Sequence, residues 1–224
     1  MSTTPITFTT TSGKSATAEL ARPPAGGASA AVIVIHEWYG LNDDMRRICG
    51  RFAAEGFAAL AIDLYGGRST ADDAEAMQLV NELRTADAIE IVRAAAEHLR
   101  SIGARKIGVT GFCLGGAMAL AAACNVEGLS AVVPFYGTPK EEFLDLSRAK
   151  APILGHYGRN DPIIPIARVE AIEARGRDAG ATITLERYDA GHAFMREGSS
   201  AYVEEAAKLA WARTVAFFRE QLSA

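Results

Sequence analysis

A cysteine flanked by glycines, an aspartate and a histidine follow one another along this chain: Cys113 in "GFCLGG", Asp161 in "GRNDPIIP" and His192 in "DAGHAF". These are the residue types that covalent acyl transfer needs. A thiolate attacks a carbonyl carbon, an imidazole takes and returns the proton, and a carboxylate holds the imidazole in its productive tautomer. The glycines two before and two after Cys113 have a steric reason. A nucleophile on a sharp turn between a strand and a helix leaves no room for side chains at those positions. A helix opening at Leu114 adds unpaired backbone N–H groups and a positive dipole end, which favour a thiolate and can receive an oxyanion. The competing reading is a buried, inert thiol in a small-residue helix. Taken singly, Asp161 also fits a turn before Pro162, and His192 a loop imidazole.

The elements that must position these residues are legible as apolar runs of strand length separated by segments of helical period. That is the pattern of a mostly parallel sheet with helices on both faces. Strands are expected over 31–36, 58–64, 106–111, 130–136, 152–158 and 183–188, the first four buried on both faces. Helical spacing of three and four links Met45, Ile48 and Phe52, then Ile89, Val92, Ala96 and Leu99, and finally Val215, Phe218 and Leu222. "ITFTTTSGKSATAEL" alternates around a Ser-Gly break, which predicts an antiparallel hairpin at the sheet edge. "ARPPAGGASA" reads as its connection to the main sheet. In open α/β sheets ligands bind beyond the carboxyl ends of the strands. Glu37, Cys113, Asp161 and His192 each follow such an end, so the topology places four chemical groups on one rim.

At 224 residues, 49% of them hydrophobic, the chain can enclose its own core, and no linker divides it, so a single domain over 1–224 is expected. The net charge of −4, with dispersed Lys and Arg, offers no field for a polyanion, so no nucleic-acid partner is expected. No apolar stretch reaches the ~18 residues of a membrane span and no signal segment opens the chain, which leads to an expectation of a cytoplasmic protein without a membrane partner. Three cysteines without a CxxC pair suggest neither a disulfide framework nor a zinc site, and no metal or other cofactor is called for. Cys49 and Cys124 lack the glycine turn and read as structural. His36 and His156 read as strand-end residues with backbone or carboxylate partners, and His98 as an exposed helix position. Trp38, Tyr39, Tyr65, Tyr136 and Phe194 lie near the rim and are either pocket lining or core.

The order nucleophile, acid, histidine is that of the α/β-hydrolases. The segments "HEWYGLND", "DLYGG", "GFCLGG", "PFYG", "GRNDPIIP" and "GHAFMR", in order along nearly the whole chain, resemble the dienelactone hydrolase (carboxymethylenebutenolidase) family of α/β-hydrolase fold. The resemblance implies a Cys113, Asp161, His192 triad, with Glu37 as an additional carboxylate beside the thiol. It places the oxyanion hole at the N–H groups of Leu114 and Trp38. It also implies a resting thiol turned away from the histidine until substrate displaces Glu37, which then takes the thiol proton. Arg196 matches a family arginine that holds the substrate carboxylate, its alternative being a surface arginine, and Tyr136 and Phe194 are the accompanying substrate-binding candidates. The family's second arginine follows "DLYGG", where this chain carries Arg68 and Arg84, neither on the pattern.

The function implied is hydrolysis of a small lactone or activated ester, dienelactone to maleylacetate in aromatic-compound degradation, by a monomer or small homo-oligomer. A broad carboxylesterase or thioesterase is the alternative within the class. Outside it stands a non-catalytic receptor or a thiol redox sensor in which Cys124 resolves Cys113.

Overall fold

The computed structural model describes residues 3–24 and 29–223, so residues 25–28 of the expected hairpin-to-sheet connection lie outside the described residues. Eight strands form one sheet: β1 (Thr4–Thr9), β2 (Ser15–Ala21), β3 (Ala30–Ile35), β4 (Ala58–Ile62), β5 (Lys106–Phe112), β6 (Ala131–Phe135), β7 (Ile153–Gly158) and β8 (Ile183–Tyr188). Their spatial order is β1-β2-β4-β3-β5-β6-β7-β8. The β1–β2 hairpin is antiparallel, and β2 joins the sheet antiparallel to β4, whereas every pair from β4 onward is parallel.

Every residue of β4 and β6, and all but the first of β3 and β5, is buried, as continuous Val, Ile and Ala runs require when helices cover both faces. Alternation within β3 shows how the layers form. Ile33 and Ile35 point into a core shared with α2 (Asp73–Glu82), α3 (Thr85–Ser101), α4 (Leu114–Asn125) and α5 (Ile166–Asp178). Val32 and Val34 point into a second core with α1 (Asp43–Ala54) and α6 (Glu204–Gln221). α4 belongs wholly to the interior: its residues from Gly115 to Cys124 are all buried, which accounts for its lack of charge and polar face.

Observed strand ends differ from the expected ones by at most two residues, and one difference matters. β3 stops at Ile35, so His36 is not its last residue but the first of the turn that carries Glu37. His156 also departs from expectation. Its partners are two hydroxyls, Tyr188 at 2.8 Å and Thr214 at 3.0 Å, rather than backbone or carboxylate groups. Burial holds its pKa down, to about 3, so it is a neutral link between β7, β8 and α6. His98 is half-buried rather than exposed, stacked on Phe8 with ring centroids 5.7 Å apart. Among the described residues no helix is long and apolar enough to cross a membrane.

Candidate active site

The turn after β5 places Cys113 at φ 54°, ψ −112°, a left-handed conformation that costs an L-residue energy and persists only where the surroundings fix it. The fixing groups are backbone. A Cβ on Gly111 would stand 2.2 Å from the carbonyl oxygen of Gly115, and one on Gly116 would stand 2.2 Å from that of Phe135. A Cβ on Gly115 would meet the carbonyl oxygens of Ile35 and His36 at 2.3 and 2.6 Å. The start of α4 is therefore pressed against the ends of β3 and β6. This seats the first turn of α4, where the Leu114 N–H has no intrahelical acceptor, against the His36 carbonyl at the start of the turn that carries Glu37.

The loops after β7 and β8 complete the constellation. His192 Nδ1 donates to Asp161 Oδ2 at 2.7 Å, and Nε2 lies 3.1 Å from Cys113 Sγ. The other oxygen of Asp161 accepts the N–H groups of Ile163 and Ile164 at 2.8 and 2.9 Å, so the carboxylate cannot rotate away from the imidazole. Burial favours a neutral Asp161, but the His192 hydrogen bond and these two N–H groups prevail and hold its carboxyl below the usual range. Burial likewise opposes a charge on His192, yet its hydrogen bonds to Asp161 and Cys113 push its pKa up to about 10.

The sign of the resulting pH dependence is defined. A folded pKa raised above the ordinary ~6.5 adds stability that is complete below that value and is lost as pH rises through about 10. The wild-type urea midpoint is expected to fall between pH 7 and pH 10 more steeply than that of His192→Gln. Parallel curves would show that the fold does not hold the imidazolium.

The resemblance implies a sulfur turned away from the histidine at rest, and the structure differs: Sγ already faces His192. Glu37 is engaged elsewhere. Its buried carboxylate accepts a hydrogen bond from the Tyr136 hydroxyl at 3.2 Å. Burial raises the Glu37 pKa, against the opposing pull of Arg196, Tyr136 and His192. Tyr136, itself at φ 36°, stands between the two titratable groups, with its ring edge-on to His192 at 5.2 Å.

A pocket of about 40 Å³ beside the elbow is lined by Glu37, Asp44, Arg47, Tyr136, Met195 and Arg196, among others. Cys113 and His192 are not in its lining, whereas Phe112 and Tyr136, neighbours of the turn, are. Two of its arginines are committed, Arg47 to Asp44 and Arg51 to Glu197. Arg196 lies over the Tyr39 ring, 4.3 Å from its centroid, without an ion pair among the described residues. Phe194 does not line the pocket. It is fully buried between Tyr136 and Tyr188, at 5.3 and 5.2 Å, because an aromatic ring in this loop gains more from the core than from the rim. Tyr39 and Tyr65 are also buried, and the Tyr65 hydroxyl finds no partner among the described residues. Arg68 pairs with Glu82, and Arg84 lines a separate groove with Leu114, so neither joins Arg196.

Cys124 lies eleven residues along α4 from Cys113, about 16 Å at ~1.5 Å per residue, far beyond the ~7 Å limit between Cα atoms for a disulfide. The resolving partner of the redox-sensor reading is thus absent from α4. Burial raises the Cys49 thiol and takes that of Cys124 to about 11, in keeping with structural roles. Among the described residues no group of three or more His, Cys, Asp and Glu could hold a metal ion.

A mostly parallel sheet with covered faces, a strained strand-to-helix turn and side chains gathered from four strand ends define an α/β-hydrolase fold. Within that fold the chain belongs to the dienelactone hydrolase family, whose model matches residues 17–222. It is 35% identical to Protein usf of Aquifex pyrophilus, over 91% of this chain and 93% of that protein. It is 34% identical to a Salmonella typhimurium protein whose name assigns it provisionally to the carboxymethylenebutenolidases, over 96% of this chain and 86% of the other. A crystal structure from Klebsiella pneumoniae, provisionally named a dienelactone hydrolase, superposes with a TM-score of 0.87 at 29% identity, covering 98% of this chain and all of that one.

Proposed function

We propose that this hydrolase uses Cys113 as its nucleophile on small lactones or activated esters, with dienelactone, opened to maleylacetate in aromatic-compound degradation, as the preferred substrate. The observation that carries the reading is the unbroken hydrogen-bonded chain from Cys113 Sγ through His192 to Asp161. Sγ attacks the carbonyl carbon, and the carbonyl electron pair moves to an oxyanion facing the N–H groups of Leu114 and Trp38. Collapse expels the alcohol or enol oxygen, which takes a proton from His192, and leaves a thioester on Cys113. Water, deprotonated by His192, then releases the acid and restores the thiol. Because a thiolate leaves a tetrahedral intermediate more readily than an alkoxide does, attack on a plain alkyl ester tends to reverse. An enolate competes well, and the residue at 113 therefore favours activated substrates. Glu37 is read as the second proton acceptor, engaged when the sulfur turns from His192.

Arg196 makes no ion pair among the described residues and lies in the pocket beside Glu37, which supports an anionic substrate, since a guanidinium binds a planar carboxylate through paired hydrogen bonds. Arg196→Ala is expected to lower kcat/KM for dienelactone by about 10-fold or more, the weight of one charged hydrogen bond, while leaving neutral p-nitrophenyl acetate within a factor of three. Equal losses on the two substrates would remove this role and favour the broad esterase reading.

A further inference from the structure

The turn from His36 to Gly40 contains an arrangement that the mechanism above does not use. His36 is fully buried, and both ring nitrogens are engaged with backbone. Nε2 accepts the N–H of Leu64, 3.1 Å away in the loop that follows β4. An acceptor at Nε2 leaves the proton of a neutral ring on Nδ1, which donates to the carbonyl oxygen of Glu37 at 2.5 Å. The same carbonyl accepts the N–H of Gly40 at 3.3 Å, closing the turn. Gly40 fits there for two reasons: its φ is +87°, and a Cβ would stand 2.6 Å from the carbonyl oxygen of Arg68.

The Glu37 carbonyl and the Trp38 N–H are the two ends of one peptide group. In a trans peptide they point in opposite directions, so two donors that fix the carbonyl also fix the N–H. Donation to the oxygen polarises the group and makes its N–H a stronger donor, as along any hydrogen-bonded chain. The ring itself is anchored. It packs on Tyr65, 4.8 Å between centroids, and Asp63 accepts from the N–H of Tyr65 at 2.8 Å and from that of Gly67, freezing the loop that supplies Leu64.

We infer that His36 is a positioning residue for the oxyanion hole: its Nδ1–H orients and polarises the Glu37–Trp38 peptide so that the Trp38 N–H receives the oxyanion. This rests on the hydrolase reading above, and it assigns the imidazole at the start of this turn a task in catalysis that mere bridging to the loop after β4 would not require.

Two substitutions separate those tasks. His36→Gln places an amide near the Nε2 position, where it can still accept from Leu64, but loses the donor to Glu37. His36→Asn keeps a donor near the Nδ1 position and loses the acceptor for Leu64. Full loss of one oxyanion donor lowers kcat by about 100- to 1,000-fold, so a misaligned donor in His36→Gln is expected to lower it by about 10- to 100-fold, with KM within about threefold. His36→Asn should stay within about threefold of wild type in kcat. An acetaldehyde titration reads the hole without turnover, because addition of Sγ to the aldehyde carbon moves an electron pair onto the oxygen. Its affinity should fall in His36→Gln by the same factor as kcat. Alkylation of Cys113 by iodoacetamide, which expels iodide and develops no oxyanion, should stay within twofold.

Equal losses in the two variants, or an unmoved aldehyde affinity in His36→Gln, would overturn the inference. If the wild type hydrolyses no ester, the functional reading fails, and the aldehyde titration still decides His36. If His36→Gln does not fold, ¹⁵N shifts of the wild-type ring decide: a proton on Nε2 instead of Nδ1 overturns the assignment.

Discussion

Cys113→Ala is expected to lower kcat on any hydrolysed ester by about 10⁴-fold or more while leaving the melting temperature within a few degrees. Removing the nucleophile of a triad costs as much as removing the whole unit, because the remaining members act only through it. Alanine keeps the Cβ, so the left-handed turn at φ 54° is no more strained than with cysteine, and the glycines around it are untouched. The substitution therefore isolates the sulfur. Steady-state kinetics with p-nitrophenyl acetate and mass spectrometry of the acylated protein read the result together. The wild type should carry the acyl group on the peptide containing Cys113, and the variant should carry none. Substantial turnover in the alanine variant would show that Cys113 is a packed thiol after all, with His192 activating water directly.

A large expected effect on stability lies two residues further on. In Gly115→Ala the new methyl group would meet the carbonyl oxygens of Ile35 and His36 at 2.3 and 2.6 Å, and both belong to the backbone at the end of the central strand β3. Neither side can yield without moving α4 or the sheet. Overpacking in a close-packed interior costs about 1–3 kcal/mol and sometimes more, and backbone on both sides places this site at the upper end. About 3 kcal/mol corresponds to ~6–12 °C in melting temperature for a protein of this size. Calorimetry measures that shift, and kcat should fall as well, since moving α4 displaces the Leu114 N–H. A variant as stable as the wild type would mean that α4 can slide, contrary to its tight seating.

The parts of the molecule that the sequence makes legible are those where residue type alone carries the constraint. Runs such as "AVIVI" and "AALAI" cannot face water on either side, which set four central strands to within two residues. Glycines two before and two after Cys113 have no purpose except close approach, and the structure shows backbone at each position where a side chain would stand. α2 and α5 were harder to see. α5 buries only Val169, Ile172, Glu173 and Gly176 among charged neighbours, and Pro165 offers no side-chain cap, so its period is faint. α2 does carry a signal, the Asp72 side chain accepting from the Glu75 N–H, that apolar spacing alone passes over. Phe194 is illegible for a different reason, and His36 only in part, since backbone partners are expected for it but not which ones. Their surroundings come from distant strands, and in the case of His36 from carbonyl and N–H groups that every residue possesses. Nor does any residue type encode the χ1 angle that turns Sγ toward His192.

The order in which the four strand ends enter the site has a consequence for the chain as it is made. Glu37 and Cys113 are synthesised in the first 113 residues, whereas Asp161 and His192 arrive on the loops after β7 and β8. A domain folds as a unit, so the single sheet is not complete until β7 and β8 have been made. On the proposed mechanism, a ribosome-bound chain carrying only β1 to β6 holds its thiol without the imidazole and carboxylate proposed to activate it. The proposed activation of Cys113 becomes possible only once both loops have been made, and a chain cut short before β8 lacks His192.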